Sequence, residues 1–222
     1  MPTITAIRPQ KRGSRVNLFL DGRFAFAVAK GTAQGLREGE EFSPEQLQAL
    51  TRKDALERAR DYSLRLLSYR PRSEKEVREK LARHGFPPDT VEETIARLRD
   101  QRLLDEGAFA RFWKEARETS SPRSKRLIEL ELRRKGIDPG LAREAVGDLE
   151  DEESALRAAT KKARSLKGLD DEAFRKKMLS HLQSRGFSWE VARRSLVKLS
   201  ETRPMPDRTR HQYFGLSSTP NP

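Results

Sequence analysis

A chain of 222 residues in which 36% are charged and only 35% hydrophobic carries too little apolar surface for one large compact core, and favours thin-cored units instead. Its formal net charge of +12 selects a polyanionic partner, nucleic acid or a nucleoprotein, without choosing between them. The absence of cysteine excludes disulfides, thiolate metal sites and a thiol nucleophile together, and suits a reducing compartment. No apolar run approaches the ~20 residues of a membrane helix, and the opening MPTITAIRPQKR lacks a signal-peptide core, so a cytoplasmic protein is expected.

Residues 1–50 read as a small β extension. Val16 to Leu20 alternates at period two, Asp21-Gly22 is a tight-hairpin signal, and Arg23 to Val28 alternates again, with Thr3 to Arg8 as a third strand. On this pattern Val16, Leu18 and Leu20 share a face with Phe24, Phe26 and Val28. Ser43-Pro44-Glu45-Gln46 then supplies a cap residue, a proline at the first helical position and a capping-box partner, so a helix through Leu47 and Leu50 covers the sheet.

From residue 51 to 200 the period is helical and the sequence repeats. Val77, Leu81, Gly85-Phe86, Val91, Ile95 and Leu98 recur 51 positions later as Ile128, Leu132, Gly136-Ile137, Ala142, Val146 and Leu149. They recur again 50 positions after that as Met178, Leu182, Gly186-Phe187, Ala192, Leu196 and Leu199. Each copy reads as three helices, A, B and C. Helix B starts at a cap such as Ser73, buries two residues one turn apart, and stops at the glycine, after which an apolar residue folds back. Helix A carries Ala55, Ala59, Leu66 and Leu67 in the first copy, Phe109, Phe112 and Trp113 after Asp105 in the second, and Ala155, Ala158, Ala159 and Ala163 in the third. Phe174 replaces the serine cap in the third copy. Leu127 and Leu130 add apolar surface to the middle helix B, which therefore needs more than one neighbour.

The expected architecture is mainly α: three tandem three-helix repeats at 51–102, 103–150 and 151–200 forming an elongated curved solenoid, after the N-terminal sheet of residues 1–50. The proline-rich tail 201–222 has no period and is expected to be disordered.

Catalytic and cofactor motifs are missing: no G-x-x-x-x-G-K-[ST], no H-E-x-x-H, no G-x-S-x-G. His84, His181 and His211 show no ligand spacing, and Glu92/Glu93 and Glu152/Glu153 sit where they complement helix dipoles rather than form an acid–base pair. The reading is no enzyme, no cofactor and no metal.

The basic residues are the stronger lead. Arg70, Arg72, Arg78 and Arg83 lie in or before the first helix B, Arg123, Lys125, Arg126, Arg133, Arg134 and Lys135 in the second, and Arg175, Lys176, Lys177 and Arg185 in the third. Recurring at matched places, they form a candidate strip for a phosphate backbone or an acidic groove. The competing reading is a solvated face balanced by Glu74, Glu79, Glu129 and Glu131. Block by block along the chain the charge excess peaks at +5 in residues 151–200. Trp113 and Trp189 are read as core, although an exposed tryptophan could stack on a base.

The run Arg70-Pro71-Arg72-Ser73-x-x-Glu76-Val77-x-x-Lys80-Leu81-x-x-x-Gly85-Phe86, then Leu104-Asp105-Glu106-x-x-Phe109-Ala110-x-x-Trp113, then Ser124-x-x-Leu127 into Leu132-x-x-Lys135-Gly136-Ile137 and Arg185-Gly186-Phe187, resembles the RecX regulatory proteins. The resemblance spans about residues 55–200. It implies a bacterial protein that binds the RecA recombinase filament in its groove, inhibits ATP hydrolysis, strand exchange and repressor cleavage, and binds single- and double-stranded DNA more weakly; the self-contained repeats point to a monomer. The family has no catalytic residues to carry over. The alternative from the residues alone is a stand-alone DNA-binding helical repeat protein, recognisable by steep salt dependence without any recombinase.

Overall fold

In a computed structural model of the chain, which describes residues 1–11 and 13–202, three strands and nine α-helices follow in order. They are β1 Ile4–Pro9, β2 Arg15–Leu20, β3 Arg23–Ala29, α1 Pro44–Tyr69, α2 Glu74–Arg83, α3 Pro88–Asp100, α4 Glu106–Ser120, α5 Lys125–Arg134, α6 Pro139–Ala145, α7 Asp151–Ala163, α8 Asp171–Ser184 and α9 Trp189–Thr202. A short 3₁₀ turn, Arg164–Leu166, follows α7. The backbone divides into two compact units, one of residues 1–106 and one beginning at Gly107. The expectation for the tail lies outside the described residues, apart from its first two positions, Glu201 and Thr202, which end α9.

The first unit begins as an antiparallel sheet in the order β1-β2-β3. Asp21 and Gly22 both take positive φ, 48° and 76°, the two-residue turn that matches strand twist. Val16 pairs Val28 and Leu18 pairs Phe26, but the register then shifts, so that Phe19 pairs Phe24 and Leu20 pairs Arg23. That irregularity corrects the expected face: Phe24 is not among the covered residues but is 59% exposed, and it meets Phe19 edge-on with ring centroids 6.0 Å apart. One slipped position sends a side chain to the opposite side of the pleat. Ile4, Val16, Leu18 and Val28 form the buried face with Phe42 and Leu50.

The helix that covers this sheet does not end before the first repeat. Its capping box at Ser43 and Gln46 is formed as the sequence predicts, and the 26-residue α1 then runs on to serve as helix A of the first repeat, with Ala59 in that repeat's core. The Asp54 carboxylate ties the two tasks together. It is buried, accepts the Ala29 amide at 2.6 Å and the Arg15 guanidinium at 3.1 Å, and Arg15 also donates to the Ala27 carbonyl. Replacing Asp54 with alanine leaves a buried amide and a guanidinium short of an acceptor. A loss of about 2 kcal/mol is expected, read as faster amide exchange at Ala29 with little change at α3.

The three repeats bury every core position that the sequence periodicity selects: Val77, Leu81, Phe86, Val91, Ile95 and Leu98 in the first, and their counterparts in the second and third. Each helix B ends in the same way. Gly85, Gly136 and Gly186 take φ of 88°, 90° and 86°, and the amides of Phe86, Ile137 and Phe187 donate back to the carbonyls of Leu81, Leu132 and Leu182 at 3.3, 3.1 and 3.2 Å. That is the six-to-one bond of a left-handed helix end, and it drops the next apolar side chain into the core.

The starts differ. Ser73 and Ser124 cap α2 and α5 by accepting the Glu76 and Leu127 amides at 3.2 Å. In the third repeat Phe174 is buried and has no oxygen to offer. Asp170 caps instead, accepting the Ala173 amide at 2.8 Å, so α8 gains a turn at its front.

Candidate functional site

The fourteen cations of the predicted strip fall into two groups. In the first unit, Arg70 donates to Glu76 at 2.9 Å and to the Pro71 carbonyl at 2.8 Å. Arg72 donates to the Leu66 carbonyl at 3.0 Å and keeps only 14% of its side chain exposed. Burial, and then the repulsion of Arg70, hold its pKa below the ordinary arginine value. Arg78 makes a forked bond to Glu92, at 2.7 and 3.1 Å, and Arg99 does the same with Glu74 at 2.6 and 2.7 Å. Of this group Arg83 reaches furthest into solvent, 67% exposed, with its Nε donating to the Glu79 carbonyl at 3.2 Å and a 3.9 Å approach to the Glu79 carboxylate.

The second unit holds a buried clamp. Glu131 accepts the Trp113 indole N–H at 2.8 Å, Arg117 at 2.7 Å and, through its other oxygen, Arg123. Burial keeps the pKa of both arginines down. Trp113 lies on the core of its repeat beside Phe109, with the Arg117 guanidinium 4.4 Å and the Lys135 ammonium 4.9 Å from its ring centre. The expectation that Trp113 is structural therefore holds. Lys125 is also committed: its amide donates to Asp151 at 2.7 Å and its ammonium to the Gly147 carbonyl at 2.6 Å.

Arg185 belongs to the join between the second and third repeats. It donates to the Ser121 hydroxyl, and its carbonyl accepts the Ser124 amide at 3.0 Å. Gly186 packs so closely against α5 that a Cβ there would stand 2.6 Å from the Ser124 hydroxyl and 2.8 Å from the Leu127 Cβ. The additional apolar surface at Leu127 thus meets the third repeat, as a helix with two neighbours requires.

Exposed in the second unit are Arg126, Arg133 and Arg134 on α5 and Arg175, Lys176 and Lys177 on α8. The α8 cations continue into two shallow grooves. One is lined by Lys162, Lys176, Lys177 and His181, and the other by Arg175, Lys176, Leu179, Gln183 and Trp189. Burial, with Arg185 and Lys162 nearby, holds the His181 imidazole below its usual pKa. Trp189 is the second correction: it does not cap a core but is 54% exposed, because Phe187 already fills the core slot. Lys162, on α7, escaped the sequence reading because it lies outside helix B. For Trp189 a signal was present, since the matched residues Pro88 and Pro139 mark that position as an exposed helix start.

His84 stacks on Tyr62 with ring centres 4.4 Å apart, a packing role beside the end of α2. Glu92 and Glu93 pair with Arg78 and with Arg52 and Arg97, and Glu152 pairs with Arg194 and Lys198. These contacts use the carboxylates as ion-pair partners.

Comparison with known proteins finds similarity along most of the described chain. Residues 59–98, 105–146 and 150–196 match the models of the first, second and third three-helix domains of RecX, and residues 2–43 match the regulatory protein RecX N-terminal domain. Regulatory protein RecX of Lactobacillus delbrueckii subsp. bulgaricus is 32% identical over 198 residues, covering 86% of this chain and 73% of its own length. That of Prosthecochloris aestuarii is 40% identical over 149 residues, 67% of this chain and 95% of its own. A crystal structure of regulatory protein RecX superposes with a TM-score of 0.61 at 29% identity, over 86% of this chain and 97% of that one. RecX from Lactobacillus salivarius gives 0.54 at 26% identity, over 67% and 99%.

Proposed function

Because the chain belongs to the RecX family of regulatory proteins, we propose that it is a negative regulator of the RecA recombinase. It binds the RecA–DNA filament in its groove as a monomer in the cytoplasm, and inhibits ATP hydrolysis, strand exchange and repressor co-cleavage. It thereby tempers DNA repair and the SOS response.

The observation that supports this reading is the outward set on α5 and α8. Both helices belong to one compact unit, so Arg126 and Arg133 stand on a framework already joined to the one that carries Arg175, Lys176 and Lys177. Cations held in place on rigid elements lose less entropy on meeting a repeating anionic groove than cations on a mobile arm. The committed arginines, Arg72 and Arg123 above all, hold the repeats in shape and are not the residues that meet the filament.

The test is ATP hydrolysis by RecA on single-stranded DNA, titrated with this protein and with a variant in which Arg126, Arg133 and Arg134 are alanine. Hydrolysis is expected to fall at substoichiometric protein, and the variant to need roughly tenfold more, as befits the removal of up to three charges from a polyanion-binding face. Unchanged hydrolysis with tight, salt-dependent DNA binding would move the assignment to a stand-alone DNA-binding repeat protein.

A further inference from the structure

The third repeat departs from the other two at positions where the fold makes no demand. Trp189 opens α9 directly after Ser188, whose hydroxyl accepts the Val191 amide at 3.2 Å. The first two repeats place Pro88 and Pro139 at this point, so the position requires only a residue suited to a helix start. Repeats that fold with proline there show that an indole is not needed for packing.

The matched positions on helix B change as well. Where the first repeat has Glu74-Lys75-Glu76 and the second Lys125-Arg126-Leu127, the third has Arg175-Lys176-Lys177. Glu74 and Glu76 are tied to Arg99 and Arg70, Lys125 to the Gly147 carbonyl, and Leu127 abuts Gly186. In the third repeat all three residues are exposed cations, and among the described ion pairs none takes them up. Lys176 and Ser180 line both α8 grooves, so the two adjoin along the helix, with Lys162 in one and Trp189 in the other. Among the described residues Glu172 is the only acid lining either groove. The same stretch carries the largest charge excess in the chain.

We propose that this α8–α9 face is a binding site for single-stranded nucleic acid, with one base stacked on the Trp189 indole and neighbouring phosphates on Arg175, Lys176 and Lys177. An unpaired base is required, because a duplex buries its base faces in its own stack. Arginine and lysine beside an aromatic platform match the alternation of phosphate and base along one strand. The site deepens the filament reading, and rests on it for the polyanion being nucleic acid.

The experiment uses the full chain without recombinase. Fluorescein-labelled oligo(dT) and a duplex of equal length are titrated at several salt concentrations, while tryptophan emission is followed with unlabelled oligomer. Oligo(dT) is expected to quench the emission, and Trp189→Ala to abolish the quench and weaken oligo(dT) binding about tenfold, the equivalent of one base left unstacked, with duplex binding changed less than twofold. Replacing Lys176 and Lys177 with alanine is expected to reduce the salt slope for oligo(dT) by about 1.4, some 0.7 for each phosphate no longer neutralised. Because Trp189 is exposed, Trp189→Ala keeps the wild-type melting curve, which separates a weakened site from an unfolded chain. Unchanged emission and affinity in Trp189→Ala would overturn the proposal, as would equal weakening of duplex binding. The filament reading would survive either result if RecA hydrolysis is still inhibited.

Discussion

Glu131→Ala is expected to cost about 3–5 kcal/mol, far more than the loss of any surface carboxylate. Three donors converge on Glu131: the Trp113 indole, Arg117 and Arg123. Only 10% of its side chain is exposed, against 24% for Arg117 and 29% for Arg123. Removing the acceptor leaves two half-buried guanidinium groups facing each other without a counter-charge, and an indole N–H without a partner. The penalty is thus the desolvation of the groups left behind, not the modest net value of an ion pair. Glu131→Gln keeps an acceptor oxygen but no charge, and should fall between alanine and wild type. Glu92→Ala, which releases only the exposed Arg78, should stay within about 1 kcal/mol. Urea denaturation followed by tryptophan emission reads all three, since Trp113 is the packed indole while Trp189 is already in solvent. A cost below about 1 kcal/mol for Glu131→Ala would mean that the two arginines swing out to water, and that the clamp is not a structural element.

What the sequence could and could not reveal follows from the range of the forces involved. The core positions of the repeats were legible because they depend on local rules: a cap, two buried residues one turn apart, a glycine at positive φ and the apolar residue after it. The sheet was legible up to Leu18, where an unforeseen slip of register turned Phe24 outward. The continuity of α1 was hidden for the opposite reason. Two segments with different partners each looked complete, and no proline or glycine between them marks whether the helix stops. The fate of the arginines was least legible. Arg72 and Arg123 occupy the same place in their repeats, yet one turns to a carbonyl on α1 and the other to Glu131. Which cation is consumed depends on carboxylates and carbonyls brought near by tertiary packing, and spacing along one helix does not contain that information.

The same distinction between local and tertiary demand separates two glycines that look equivalent in the sequence. Gly85 and Gly186 both end a helix B, at φ of 88° and 86°, so alanine at either position bears the strain of the left-handed region, about 1 kcal/mol or somewhat more. At Gly85 an added Cβ meets open space, and Gly85→Ala should stop there. At Gly186 the same carbon would stand 2.6 Å from the Ser124 hydroxyl and 2.8 Å from the Leu127 Cβ. Ser124 cannot turn away without releasing the Leu127 amide that it caps, and a Cβ moves only with its backbone. Gly186→Ala should therefore force α5 and the end of α8 apart, stretching the Ser124 amide bond to the Arg185 carbonyl, for a total of about 2–4 kcal/mol. Amide exchange at Ser124 locates the damage, and the difference in denaturation midpoint between the two variants measures it. Equal costs at the two glycines would show that the join between the second and third repeats yields to a methyl group, and a join that soft would not hold the cations of α5 and α8 in a fixed relation.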